Sequence, residues 1–274
     1  MNILENITLE ELKLLTTKDN AQTVLNLLQI PHKKNQIFEK LLEHFNYEIY
    51  KKTFRQVAFD KGGKYDTTQI PHFLEKRKEM IGVYKQKFPN DKSLQWCYSP
   101  DGYDDFRKKC TFGMITEQQY LDGVYKHYLT ASISDLTSKV TERYIVSNNE
   151  DIFPTLKNTG GIDYIYKGRP KDIKNSKSLG GLFIDWCKEQ GLSPKQEAIN
   201  NPAQVIKCLY EGQSETRFGS EPRHLIVNLN DEILTNEKLL QMLETVDLDD
   251  EKEITFINKK TGKTYITTAL ITYI

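Results

Sequence analysis

Asp163, Asp172 and Lys174 lie within a dozen residues of one another, in a stretch that runs from Gly161 to Lys174. Ile162 to Tyr166 is rich in β-branched and aromatic residues, Gly168-Arg169 supplies a tight turn, and Lys171 to Asn175 resumes an extended pattern. A turn centred on Gly168-Arg169 puts Tyr166 opposite Lys171, Ile165 opposite Asp172, and Asp163 opposite Lys174. Cross-strand partners share a face, as do residues two apart on one strand, so both acids and the lysine point the same way. Two carboxylates on adjacent strands are oxygen ligands of the kind that hard cations such as Mg²⁺ prefer. A neighbouring ammonium can stabilise developing charge or position a water. The same residues also fit a plain surface hairpin in which Asp163 and Lys174 form an exposed ion pair of little energetic weight.

Asp163, followed on the next strand by Asp172-Ile173-Lys174, resembles the signature of the PD-(D/E)xK restriction-endonuclease-like nucleases. The wording from Tyr166 to Lys174 also resembles the Pro-Phe-Asp-Leu-Lys hairpin of bacterial restriction-type nucleases, although Ile162 stands where the family often has proline. The resemblance implies a type II restriction-like hydrolase: a Mg²⁺-dependent endonuclease of double-stranded DNA. In it Asp163 and Asp172 bind the metal, and Lys174 orients or deprotonates the attacking water. It further implies an acid from the helix before the hairpin, for which Glu142 is the candidate. The order Gln213, Arg217-Phe218, Arg223 resembles a segment that follows the catalytic hairpin in some of these enzymes, making Arg217 and Arg223 candidates for phosphate contact. Cutting both strands of a palindrome implies a homodimer. Two other readings stay open: a non-catalytic DNA-binding or interaction protein with a structural hairpin, and the same fold acting on RNA or branched DNA.

The elements that must hold these residues are legible as patterns. Ile133, Leu136, Val140 and Tyr144 form one face of a helix over residues 132–146, and at about 100° per residue Glu142 lies opposite that stripe, on a second face that Ile145 and Val146 make partly apolar, so that both a solvated and a buried Glu142 stay open. After the hairpin, a polar, Gly-rich link leads into a helix carrying Leu182, Phe183 and Trp186. Its start, with Lys177, suits either a phosphate or a flexible connection. Thr8 and Glu11 form a capping-box signature ahead of a first helix, Asn20 opens a second, and Ile37, Leu41, Leu42, Phe45 and Ile49 fit the face of a third. Gly62-Gly63 ends this run and a further helix follows in residues 67–84. Aromatics between Phe88 and Thr116 (Trp96, Tyr98, Tyr103, Phe106 and Phe112) fit a small satellite core better than a base-stacking surface. Later come a strand over residues 225–229, an acidic helix over 239–243, a hairpin from Ile254 to Thr268, and a last strand over 270–274.

The chain has 274 residues, with 38 basic and 38 acidic side chains, so net charge gives no sign of a polyanionic partner. Distribution says more: residues 31–88 carry 13 basic and 7 acidic residues, and 157–177 carry six and two, whereas 229–253 carry nine acids and two lysines. Basic segments around the hairpin are compatible with a phosphate-binding face, and equally with ordinary solvated faces. Four scattered cysteines lack zinc spacing and read as free thiols of a reducing compartment. With no signal-like start and no apolar run of membrane length, the expected location is cytoplasmic, with no membrane partner. The five histidines form no ligand or triad motif, and the GxGxxG, GxxxxGK[ST] and GxSxG patterns are absent. Asp247, Asp249, Asp250 and Glu251 lack EF-hand spacing and read as a solvated turn.

These patterns predict an α/β protein: a central mixed β-sheet flanked by helices, with the restriction-endonuclease-like core the resemblance implies, behind a helical N-terminal region. The expected division is 1–130, a recognition or capping subdomain, and 131–274, the catalytic core.

Overall fold

The computed structural model describes residues 4, 7–91, 107–157, 161–176, 178–213, 221–229, 233–258 and 261–274. Helix α1 (Leu9–Leu15) opens on the expected capping box: the Thr8 hydroxyl accepts from the Glu11 amide at 3.2 Å, and the Thr8 amide donates to the Glu11 carboxylate at 2.8 Å. Thr17, not Asn20, caps α2 (Lys18–Leu27). The helical face expected across residues 37–49 is cut in two, because the Asn46 side chain accepts from the Ile49 amide and starts a new helix there. The results are α3 (Ile37–Glu43) and α4 (Tyr47–Phe59).

Gly62-Gly63 then folds the chain back on α4. A Cβ at Gly63 would lie 2.3 Å from the Val57 carbonyl oxygen, so only glycine fits this close approach. A single 3₁₀ turn (Thr67–Gln69) leads into α5 (Ile70–Lys87), and α6 (Glu117–Asn148) runs 32 residues. It starts well before the expected residue 132, because its first half leaves Leu121, Tyr125 and Tyr128 exposed and so shows no single apolar stripe facing a core. Of the aromatics expected in a satellite core, Trp96, Tyr98, Tyr103 and Phe106 lie outside the described residues, and Phe112, on the turn before α6, is exposed and not in a core.

The sheet contains β1 (Ile152–Pro154), β2 (Tyr164–Tyr166), β3 (Arg169–Ser176), β4 (Arg223–Val227), β5 (Lys252–Ile257) and β6 (Thr264–Tyr273), in the order β1-β2-β3-β4-β6-β5. The β3-β4 and β4-β6 pairs are parallel and the rest antiparallel, so the sheet is mixed, as expected. Helices α7 (Gly181–Glu189), α8 (Pro194–Asn200) and α9 (Pro202–Gln213) connect β3 to β4, and α10 (Asn236–Leu243) precedes β5. Residues 270–273 continue β6 and are not a separate strand; no turn residue interrupts the ladder after Thr268.

Both faces of the sheet are covered. Ile226 joins a core shared by α1 to α4, α6, α10 and β1 to β3, whereas its neighbours Leu225 and Val227 join a second core with α7, α8 and α9. That alternation is why all five residues of β4 are buried. Residue 130 lies inside α6, and the N-terminal helices pack on the same core as the sheet. Among the described residues no helix is long and apolar enough to cross a membrane.

Candidate active site

The hairpin forms, with its turn one residue earlier than the sequence suggests. Tyr164 pairs with Lys171, Ile165 with Pro170 and Tyr166 with Arg169. Lys167 and Gly168 occupy the turn with φ of 47° and 75°. A two-residue turn of type I′ needs positive φ at both central positions, and this arrangement uses Gly168 for the second while keeping the larger Arg169 in the strand. The register therefore slips by two residues from the expected one. Because side chains alternate with a period of two, an even slip leaves every residue on its expected face.

The slip does change who pairs with whom. Asp163 is not opposite Lys174: its amide donates to the Lys171 carbonyl at 2.7 Å, and its Oδ2 accepts from the Ile173 amide at 2.8 Å. Lys174 instead reaches along its own strand to Asp172 Oδ1, at 2.6 Å. Asp172 is nearly inaccessible, with its side chain 5% exposed, and its other oxygen faces Arg223 Nη1 at 3.1 Å. The parallel register sets this contact directly, since Asp172 and Arg223 are ladder partners. Burial raises the Asp172 carboxyl above its ordinary range, against the pull of the Lys174 ammonium.

The counter-charge of Asp163 comes from a residue that the sequence reading did not single out. Lys64, on the Gly62-Gly63 turn, places its Nζ 3.2 Å from Asp163 Oδ1. The next residue, Tyr65, donates its hydroxyl to the Asp163 carbonyl at 2.7 Å. A glycine pair followed by Lys-Tyr in a basic stretch was the available signal, and it reads as a helix break until the tertiary fold is known. Burial is the main influence on Lys64 and lowers its ammonium pKa, with Asp163 opposing.

Glu142 joins the cluster from α6. Its carboxyl is raised from 4.5 to about 7, first by burial and then by the Asp163 charge, with Lys64, Arg143 and Lys174 pulling the other way. Of the two placements the helical wheel left open, the buried one holds, because α6 is covered on more than one side: Thr141, Ile145 and Val146 are buried along with Ile133, Leu136 and Val140. The proton is held more tightly in the folded state, so Glu142 supports the fold fully below pH 4.5 and loses that support as pH rises to about 7. The difference amounts to about 3 kcal/mol. Glu142→Gln is therefore expected to match the wild type in stability near pH 4.5 and to exceed it by up to that amount above pH 7. Urea midpoints across this range measure the gap, and a gap independent of pH would contradict the assignment.

Of the three residues expected at phosphates, Arg223 is buried against Asp172 and Glu221 and is not a surface contact. Both faces of its strand are covered, so its side chain is enclosed. Lys177 and Arg217 lie outside the described residues. The acidic turn before β5 is not simply solvated. Lys167 reaches Asp249 at 2.5 Å, Arg169 reaches Glu251 at 2.5 Å, and the buried Lys171 also pairs with Glu251. These pairs anchor the far end of the hairpin. Under the sheet, the Tyr164 hydroxyl and His224 Nδ1 lie 2.9 Å apart, with His224 Nε2 2.8 Å from Thr272, and burial lowers this histidine to about 3.

The structure thus brings Glu142, Asp163, Asp172 and Lys174 into one electrostatic cluster and adds Lys64 and Arg223. In kind the acids fit a hard divalent cation, since all offer oxygen and the raised Glu142 and Asp172 mark a site where added positive charge would be favourable. In number the set is sparse. Among the described residues no three acid, histidine or cysteine side chains stand close enough to form a cage, which leaves water to complete a shell of the kind Mg²⁺ usually keeps. Comparison with protein-family models, with curated proteins and with solved structures finds no match.

Proposed function

We propose that this protein is a metal-dependent endonuclease that hydrolyses phosphodiester bonds of double-stranded DNA, in the manner of type II restriction enzymes, with Asp163 and Asp172 as ligands of Mg²⁺. The observation that supports this reading is the convergence of Glu142, from a helix, on the acids and lysine of the hairpin. Bound at the two aspartates, Mg²⁺ would supply a Lewis acid and a water of lowered pKa. Asp172 is held in a fixed orientation by Arg223, and Asp163 by the Ile173 amide. Lys174, its side chain 41% exposed, can turn its ammonium toward a phosphate oxygen or a water. With its carboxyl pushed up to about 7, Glu142 is matched to proton transfer near neutrality.

The test is incubation of the full chain with linear duplex DNA of diverse sequence, in Mg²⁺ and in EDTA, with the ends mapped. Cleavage in Mg²⁺ and none in EDTA is expected. Duplex that stays intact with both Mg²⁺ and Mn²⁺ would discard the proposal, and parallel arms with RNA and branched DNA show whether another nucleic acid is the substrate. A second reading has its own observation: each hairpin acid already has a basic partner, Lys64 for Asp163 and Lys174 with Arg223 for Asp172. A scaffold of ion pairs would look the same and would have no Mn²⁺ affinity for Asp172→Ala to lose.

A further inference from the structure

We propose that Lys64 is a resident counter-ion of Asp163, occupying the place on that carboxylate that a divalent cation takes, so that metal loading requires its ammonium to move aside. The inference rests on the metal-binding reading of the acids. Three observations carry it. The Lys64 ammonium touches Asp163 Oδ1 at 3.2 Å, while Oδ2 is engaged by the backbone of β3 at 2.8 Å. The oxygen available to a cation is therefore the one Lys64 covers.

Second, Lys64 already has somewhere to go. Its Nζ also lies 2.8 Å from the Thr155 hydroxyl and 3.3 Å from the Lys157 carbonyl oxygen. Releasing Asp163 leaves two hydrogen bonds in place, which limits the cost of a buried donor losing a partner. Third, the backbone that carries Lys64 is fixed independently. Gly63 is pressed onto the end of α4, and Tyr65 is bonded to the Asp163 carbonyl at 2.7 Å. Only the lysine side chain has to move.

The consequence is a direction opposite to that of a residue that merely supports the site. A positive charge a few ångströms from a cation site weakens binding there, so neutralising Lys64 strengthens it. Full-length wild type, Lys64→Met, Lys64→Arg and Asp163→Asn are titrated with Mn²⁺ alone near neutral pH, reading free Mn²⁺ by electron paramagnetic resonance. Lys64→Met is expected to bind about tenfold more tightly than wild type. Lys64→Arg should stay near wild type, and Asp163→Asn should bind more weakly. Should Lys64→Met lose its cooperative thermal transition, Lys64→Gln removes the same charge, keeps a donor for Thr155, and is held to the same criterion.

Equal or weaker binding by the neutral variant, with affinity still lost in Asp163→Asn, overturns the counter-ion role and leaves the metal site standing. Absence of saturable Mn²⁺ binding in every variant overturns both.

Discussion

Lys174→Ala is expected to slow DNA cleavage by about 10²–10³-fold, the usual loss when one donor aimed at developing charge is removed, while leaving the fold intact. The structural half of this expectation follows from exposure. The Lys174 side chain is 41% exposed, and Asp172 keeps Arg223 at 3.1 Å after Lys174 is gone. Truncation therefore leaves no unpaired buried charge. Single-turnover cleavage with saturating protein, alongside a thermal melt, separates the two effects. Wild-type rates in the variant would remove Lys174 from the proposed chemistry, and Lys174→Arg, which keeps the charge but changes its shape, should recover only part of the rate.

Arg223→Met is expected to do the reverse, destabilising the protein by about 3 kcal/mol, the low end of what breaking a buried ion pair costs. Arg223 and Asp172 are both under 6% exposed at the side chain, in the middle of a sheet covered on both faces. Removing the guanidinium leaves Asp172 with Lys174 alone. A urea denaturation series gives the loss, and Arg223→Met combined with Asp172→Asn should recover part of it, because the charge left stranded is then gone. Additive effects in that cycle would show that the pair is not coupled. The same argument makes Asp172→Ala a poor probe of catalysis, since it strands Arg223 and mixes a folding defect with a chemical one.

The sequence reading succeeded where the chain's own periodicity decides the outcome. Alternating β-branched and aromatic residues marked the 162–175 hairpin, and the period of two put Asp163, Asp172 and Lys174 on the expected face despite a turn placed one residue late. The flanking helices were legible from their own period, whereas nothing in the strand patterns set which pairs run parallel. What escaped was long-range. Lys64 lies 99 residues before Asp163, and Arg223 meets Asp172 only because β4 runs parallel beside β3. A basic residue in a basic stretch suggests a phosphate, whereas here Lys64 is spent on the half-buried Asp163 and Arg223 on the buried Asp172. A helical wheel puts Glu142 opposite the main stripe of α6, and Ile145 and Val146 left its burial open; both are buried, so α6 is covered on more than one side.

The length of α6 has a consequence for anything that approaches the acids. Tyr125 and Tyr128, stacked at 6.5 Å and exposed, sit on the same rod as Glu142. The seventeen residue-to-residue steps from Tyr125 to Glu142 span about 26 Å at 1.5 Å each, and a continuous helix holds that separation fixed. The helix is thus a ruler: a partner touching both the tyrosine pair and the acid cluster must itself extend about that far, and a shorter one can occupy a single end.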